Sequence, residues 1–132
     1  MRRTLPAIAL FLLICGCAAR VPVCEISGTV TRGGEKLTWP DGGSLLVIFL
    51  PVDPIKTERY TARDTDTGSS TYKLSGVPAG KYLVAVQQFN PRFMDSLGGR
   101  YDPGHTDYEV DVTADSQILN IDLPTNPTPG RK

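Results

Sequence analysis

What most constrains this chain is an alternation of apolar and polar residues with a period of two, repeated in short runs. From Cys24 the segment CEISGTV puts Cys24, Ile26, Gly28 and Val30 on one parity and Glu25, Ser27 and Thr29 on the other. That is the pattern of a strand with one buried face. The period returns in SLLVIFLP (44–51), YKLSG (72–76), KYLVAVQQ (81–88), DYEVDV (107–112) and ILNIDL (118–123). Turn-forming punctuation separates the runs, as in RGGEK, WPDGG, DTDTGSS and VPAGK, and no segment beyond the N-terminal region sustains a helical period. The spacing predicts an antiparallel β-sandwich. LLVIFL is apolar on both faces, which predicts a central strand whose outer face is partly covered, or else an exposed apolar patch.

The N-terminus follows a different rule. Met1-Arg2-Arg3 is a positive n-region and Leu5 to Cys15 an apolar run of 11 residues, too short to span a bilayer as a helix. It reads as a secretory signal. Ile14-Cys15-Gly16-Cys17 resembles the bacterial lipobox, in which small residues precede a cysteine that is acylated and becomes the mature N-terminus. The resemblance implies that Cys17 carries the lipid (palmitate and related acyl chains). Gly16 supplies the small residue that cleavage requires, whereas cleavage before Cys15 puts bulky Ile14 there. The expected organisation is a lipoprotein signal peptide (1–16), a short tether (17–22), one domain (23–123) and a polar flexible tail (124–132). Several acyl chains hold a protein on a membrane far more firmly than one, so the expected location is the cell envelope, membrane-anchored.

Removing Arg2 and Arg3 leaves 12 basic residues against 14 acidic, a formal charge of −2. Neither nucleic acid nor any polyanion is indicated as a partner. Cys24 is then the one thiol left after Cys17, so no internal disulfide forms and the core must carry the stability. Its parity with Ile26 and Val30 predicts a packed thiol in preference to a reactive one.

At ISGTVTRGGEKL, the apolar strand ending in Pro51, DTDTG, and YKLSGVPAGKYLVAV, the chain resembles the carboxypeptidase regulatory-like domain. The resemblance runs from about Cys24 to Val86, and the segment from Asn90 to Leu123 is similar to the C-terminal half of short bacterial envelope lipoproteins built on that domain. It implies an all-β, antiparallel immunoglobulin/transthyretin-like β-sandwich of about seven strands. Gly28 is read as permitting close sheet packing, and Gly33-Gly34 as a turn with positive φ. Pro78-Ala79-Gly80-Lys81-Tyr82 matches best: Tyr82 is delivered inward with Val84 and Val86, and its hydroxyl is placed to return to an upstream backbone group as in a tyrosine corner. A departure is SST between Gly68 and Tyr72, which implies a bulge or a longer hairpin.

Few residues carry chemistry. Asp64-Thr65-Asp66-Thr67-Gly68 is similar to the opening of a calcium loop, but the third acidic ligand and the distal Glu are missing, which leaves a plain turn. Hydroxyisourate hydrolase has a transthyretin-like fold, yet its Tyr-Arg-Gly-Ser signature is absent and His105 is the single histidine. No spacing joins Ser, His and Asp into a triad. His105 with Asp102 and Asp107 is the nearest thing to a metal or hydrolytic centre, and is read first as a solvated loop. The expectation is a non-enzymatic module without cofactor, monomeric, serving adhesion, scaffolding or ligand binding. Its partners are the membrane, through the lipid, and an envelope protein or glycan. The alternative is a small metal-dependent or hydrolytic enzyme centred on His105.

The segment Asn90 to Thr106, NPRFMDSLGGRYDPGHT, is long for a sandwich connection and mixes Arg92, Phe93, Arg100 and Tyr101 with flexible Gly98-Gly99. It fits two readings equally: a binding surface, or a cap in which Phe93, Leu97 and Tyr101 close one end of the core. Trp39 is a further loop aromatic, placed either to stack on a sugar or to plug the core edge.

Overall fold

A computed structural model describes residues 22–66, 68–113 and 115–125. The expected signal segment, Cys17 and most of the expected C-terminal tail lie outside these residues. The chain is an all-β sandwich, with no helix among the described residues. The described residues hold nine strands in order: β1 (Val23–Arg32), β2 (Glu35–Lys36), β3 (Ser44–Pro51), β4 (Tyr60–Asp64), β5 (Thr71–Pro78), β6 (Gly80–Phe89), β7 (Glu109–Val112), β8 (Ser116–Ile118) and β9 (Ile121–Leu123). One sheet has the order β4-β3-β6-β7, and in the other β1 pairs with every remaining strand.

The two sheets meet through the alternating residues. From β1 come Cys24, Ile26 and Val30, from β3 Leu45, Val47 and Phe49, and from β6 Tyr82, Val84 and Val86, all buried in one core. β3 is central, between β4 and β6. On its outer face Ile48 stands opposite Ala85 in register, and both are buried, so a run apolar on both faces is used on both.

Two glycine positions are dictated by geometry. Gly33 and Gly34 have φ of 58° and 81° and form the two-residue turn between Arg32 and Glu35, a turn that needs positive φ at both central residues. Gly28 lies beneath the carbonyl of Leu119, and a Cβ there would stand 2.1 Å from that oxygen.

That contact explains a difference from the expected strand at 118–123. It is two strands, β8 and β9, in a single parallel register against β1. Between them the Asn120 side chain, in place of a backbone carbonyl, accepts the Thr29 N–H at 3.1 Å, and the Tyr72 hydroxyl donates to the Leu119 carbonyl at 2.5 Å. The sandwich is therefore not wholly antiparallel. After β7 the chain crosses to the other sheet, and a crossover, unlike a hairpin, lets a strand enter parallel to its neighbour.

The expected tyrosine corner is present: the Tyr82 hydroxyl donates to the Pro78 carbonyl at 2.6 Å. Its ring sits 5.9 Å from that of Phe49 and 6.0 Å, edge-on, from that of Tyr60. Ser69 and Ser70 lengthen the β4–β5 connection, and Thr71 opens β5. Ser70 is buried there at φ 49°; its hydroxyl donates to the Val30 carbonyl and accepts the Leu37 N–H.

Candidate functional site

β6 runs on beyond its pairing with β7, and from Val84 its free edge is covered by the 90–108 connection rather than by a strand. The Val84 N–H donates to the Tyr108 carbonyl (2.7 Å), that of Val86 to the Tyr101 carbonyl (2.8 Å), and that of Ser96 to the Gln88 carbonyl (2.6 Å). The Thr106 hydroxyl returns to the Val84 carbonyl at 2.5 Å. Edge groups of β6 that would otherwise stand open are thus satisfied.

The connection divides into two halves with opposite roles. In the second half the Asp95 carboxylate gathers the N–H groups of Gln88, Leu97 and Gly99 at 3.1, 2.9 and 3.1 Å. This anchors Leu97 and Tyr101 in the core. Tyr101 is 9% exposed, and its hydroxyl donates to the Pro124 carbonyl at 2.9 Å, tying this sheet to the end of β9. In the first half Asn90 builds a tight turn. Its side-chain oxygen accepts the N–H groups of Arg92 and Met94 at 2.9 and 3.1 Å, and its carbonyl accepts that of Phe93 at 2.9 Å. Phe93 is held at φ 61°, a left-handed conformation unfavourable for an aromatic residue. The turn holds Phe93 and Met94 out in solvent, 82% and 63% exposed.

Among the five residues selected from the sequence, Arg92, Phe93 and Arg100 are exposed, whereas Tyr101 and Trp39 are buried. Neither Tyr101 nor Trp39 is presented to a ligand, and for both the core-plug reading replaces the binding reading. The reason is area: both rings join the core cluster and supply apolar surface to it, Trp39 packing against Gly43. Trp39, 4% exposed, has a buried Nε1–H without a hydrogen-bond partner among the described residues. Phe93 goes the other way and does not cap the core. Met94, which the sequence did not single out, stands beside Phe93; its adjacency to an aromatic just after Asn90-Pro91 was the available signal.

His105 lies at the far end of the connection. Its Nδ1 and the Asp102 Oδ1 are 2.6 Å apart with the ring well exposed, and this bond holds the Asp102 carboxyl below the usual carboxylate range. Asp102 also accepts the Gly104 N–H at 3.0 Å, and its carbonyl accepts those of His105 and Thr106. The arrangement locks a turn. Asp107 does not join it, and among the described residues no three His, Cys, Asp or Glu side chains stand together as a metal-binding group. The calcium-like segment is likewise engaged in its own turn: Asp64 accepts the Asp66 N–H at 2.9 Å and the Ser69 hydroxyl.

The opposite end of β6 carries a second exposed apolar element. The β3–β4 loop displays Val52 and Ile55, the latter 88% exposed, and Val23 at the start of β1 is exposed as well. A cleft of about 450 Å³ lies there, lined by Pro51, Val52, Pro54, Lys56 and Lys81 among others. Beside it Tyr60 donates to Glu58 at 2.9 Å; burial and that carboxylate push the phenol up to about 12. A shallower groove of about 610 Å³ crosses the β1, β4 and β5 surface, with Arg63, Lys73, Thr29 and Thr71 in its lining. No family model, curated protein or solved structure matches the chain.

Proposed function

We propose that this chain is a lipid-anchored, non-enzymatic binding module of the cell envelope, built on a carboxypeptidase regulatory-like, transthyretin-like sandwich. Its acyl chains are on Cys17, and its recognition surface is the Arg92–Phe93–Met94 tip. One observation carries the binding reading: a large aromatic held at positive φ and exposed to solvent by a turn that Asn90 builds around it. Strain of that kind is kept where the exposed side chain has a use. The side chains favour a protein partner over a glycan, because aromatic residues, Met and Arg are the types enriched at protein interfaces. Arg100 is a further exposed cation of the same connection, while Trp39 and Tyr101 belong to the core. The lipoprotein reading rests on the n-region, the apolar run and Ile14-Cys15-Gly16-Cys17.

The test is a photo-crosslinking residue at Phe93 in the full chain in intact cells, with the same residue at exposed Ile118 as control. A discrete protein adduct at 93 and none at 118 supports the reading. Labelling that is equal at the two positions removes the tip as the site, and an adduct with polysaccharide replaces the protein partner by a glycan. The hydrolytic alternative centred on His105 has no observation in its favour beyond the Asp102 contact, and His105→Ala leaves capture of the partner unchanged.

A further inference from the structure

Apart from Ile118 on β8, the large exposed apolar side chains among the described residues lie toward the two ends of β6, and the point where the N-terminal segment enters distinguishes those ends. The first described residue, Pro22, accepts the Ala79 N–H at 3.1 Å, and Val23 pairs with Pro78. The N-terminal segment therefore enters at the β5–β6 turn. The β3–β4 loop lies at the same end: Val52 donates to the Lys81 carbonyl at 3.0 Å, and Pro78 shares a cleft with Lys56, Thr57 and Glu58. Ile55 is directed outward by a local bond in which the Asp53 carboxylate accepts its N–H at 3.0 Å.

Resting on the lipid-anchor reading above, we infer that this end is a membrane-contacting surface: Ile55 and Val52 enter the lipid interface, with Lys56 and Lys81 at the headgroups. Chain length supplies the argument. From Cys17 to Pro22 is five residue steps, at most about 18 Å when fully extended. An acylated Cys17 therefore keeps the Val23 end within a short reach of the bilayer. β6 has ten residues and at about 3.3 Å per residue spans roughly 30 Å, which sets Phe93 and Met94 that much farther out. Apolar side chains at the near end then lose water to the acyl boundary, and lysines beside them extend their stems along it with the ammonium groups in the headgroup layer. The sandwich stands upright on the membrane, resting on the Val52–Lys56 loop and presenting the Phe93 tip outward.

The experiment uses the full, acylated chain carrying Ile55→Cys or Phe93→Cys, labelled with an environment-sensitive fluorophore. It is reconstituted in phosphatidylethanolamine/phosphatidylglycerol vesicles with a shallow nitroxide-labelled lipid. Both positions are exposed, so the variants fold, and Cys24 is buried away from the label. The expected result is at least twofold quenching with a blue shift at position 55, and neither at 93. Equal quenching at the two positions, or none at 55 in protein that floats with the vesicles, overturns the orientation while leaving the anchor intact. Failure to float, with no acyl group on Cys17, overturns the anchor and the orientation with it.

Discussion

Replacing Tyr101 separates the two roles of the 90–106 connection. Tyr101 buries nine-tenths of its surface in the core cluster and donates to the Pro124 carbonyl. Truncating a buried large aromatic to alanine costs about 3–5 kcal/mol. The lower end, near 3 kcal/mol, applies here, because Tyr101 sits at the rim of the core, where the connection relaxes into part of the space. Tyr101→Phe keeps the ring and loses one hydrogen bond, about 1 kcal/mol; Pro124 is exposed, so its carbonyl turns to water. Phe93→Ala removes an equally large ring that is 82% exposed, and its effect stays within about 0.5 kcal/mol. Urea unfolding of the domain, followed by the fluorescence of buried Trp39, the single tryptophan, measures all three. The order from most to least destabilised is expected to be Tyr101→Ala, then Tyr101→Phe, then Phe93→Ala. A Tyr101→Ala variant within about 0.5 kcal/mol of the parent, or a Phe93→Ala cost above about 1.5 kcal/mol, refutes the division of the connection into a core half and a free half.

Three further outcomes follow from the core and the turns. Cys24 faces inward between the sheets, so alkylation of the native protein is slow and becomes fast only on adding denaturant; rapid native labelling contradicts the phase of β1. Gly28→Ala brings a Cβ against the Leu119 carbonyl, a clash with backbone. It lowers the urea midpoint and weakens hydrogen-exchange protection at the β8–β9 break, whereas Gly34→Ala, with open space around it, pays only for its positive φ. The Gly34 N–H and the Thr31 hydroxyl hold the Asp122 carboxyl below its usual range. A carboxyl depressed in the folded state adds stability that is present above its unfolded pKa of about 3.9 and is lost as pH falls through the folded value. The midpoint therefore drops below about pH 4, and Asp122→Asn flattens that drop in a pH series of urea titrations.

The strand pattern was legible where one physical rule acts alone. β3 occupies the run 44–51 as the apolar stretch between Gly42-Gly43 and Pro51 indicates, and β1 buries the parity that Cys24 and Ile26 define. The tyrosine corner was legible through the resemblance carried by Pro78-Ala79-Gly80-Lys81-Tyr82, a contact only four residues apart. The break in β8–β9 was not legible, because it depends on Asn120 meeting Thr29 and on Leu119 meeting Gly28, pairs more than ninety residues apart in sequence. The candidate site was half legible. Composition pointed to 90–106, but alternation gives no phase in an irregular connection. Phe93 and Tyr101 therefore read alike, and only the Asn90 turn and the Asp95 carboxylate decide that one ring goes out and the other in. Ile55 was not legible, because a lone apolar residue in a polar loop has no periodicity to mark it; its meaning comes from sharing an end with Val23 and Pro78.

The claim on which function and orientation both depend is acylation at Cys17, and mass spectrometry of the mature N-terminus tests it most directly. The expected result is an acylated fragment beginning at Cys17, lost in Cys17→Ser and retained in Cys15→Ser. An unmodified Cys17, or an acylated fragment beginning at another residue, contradicts it.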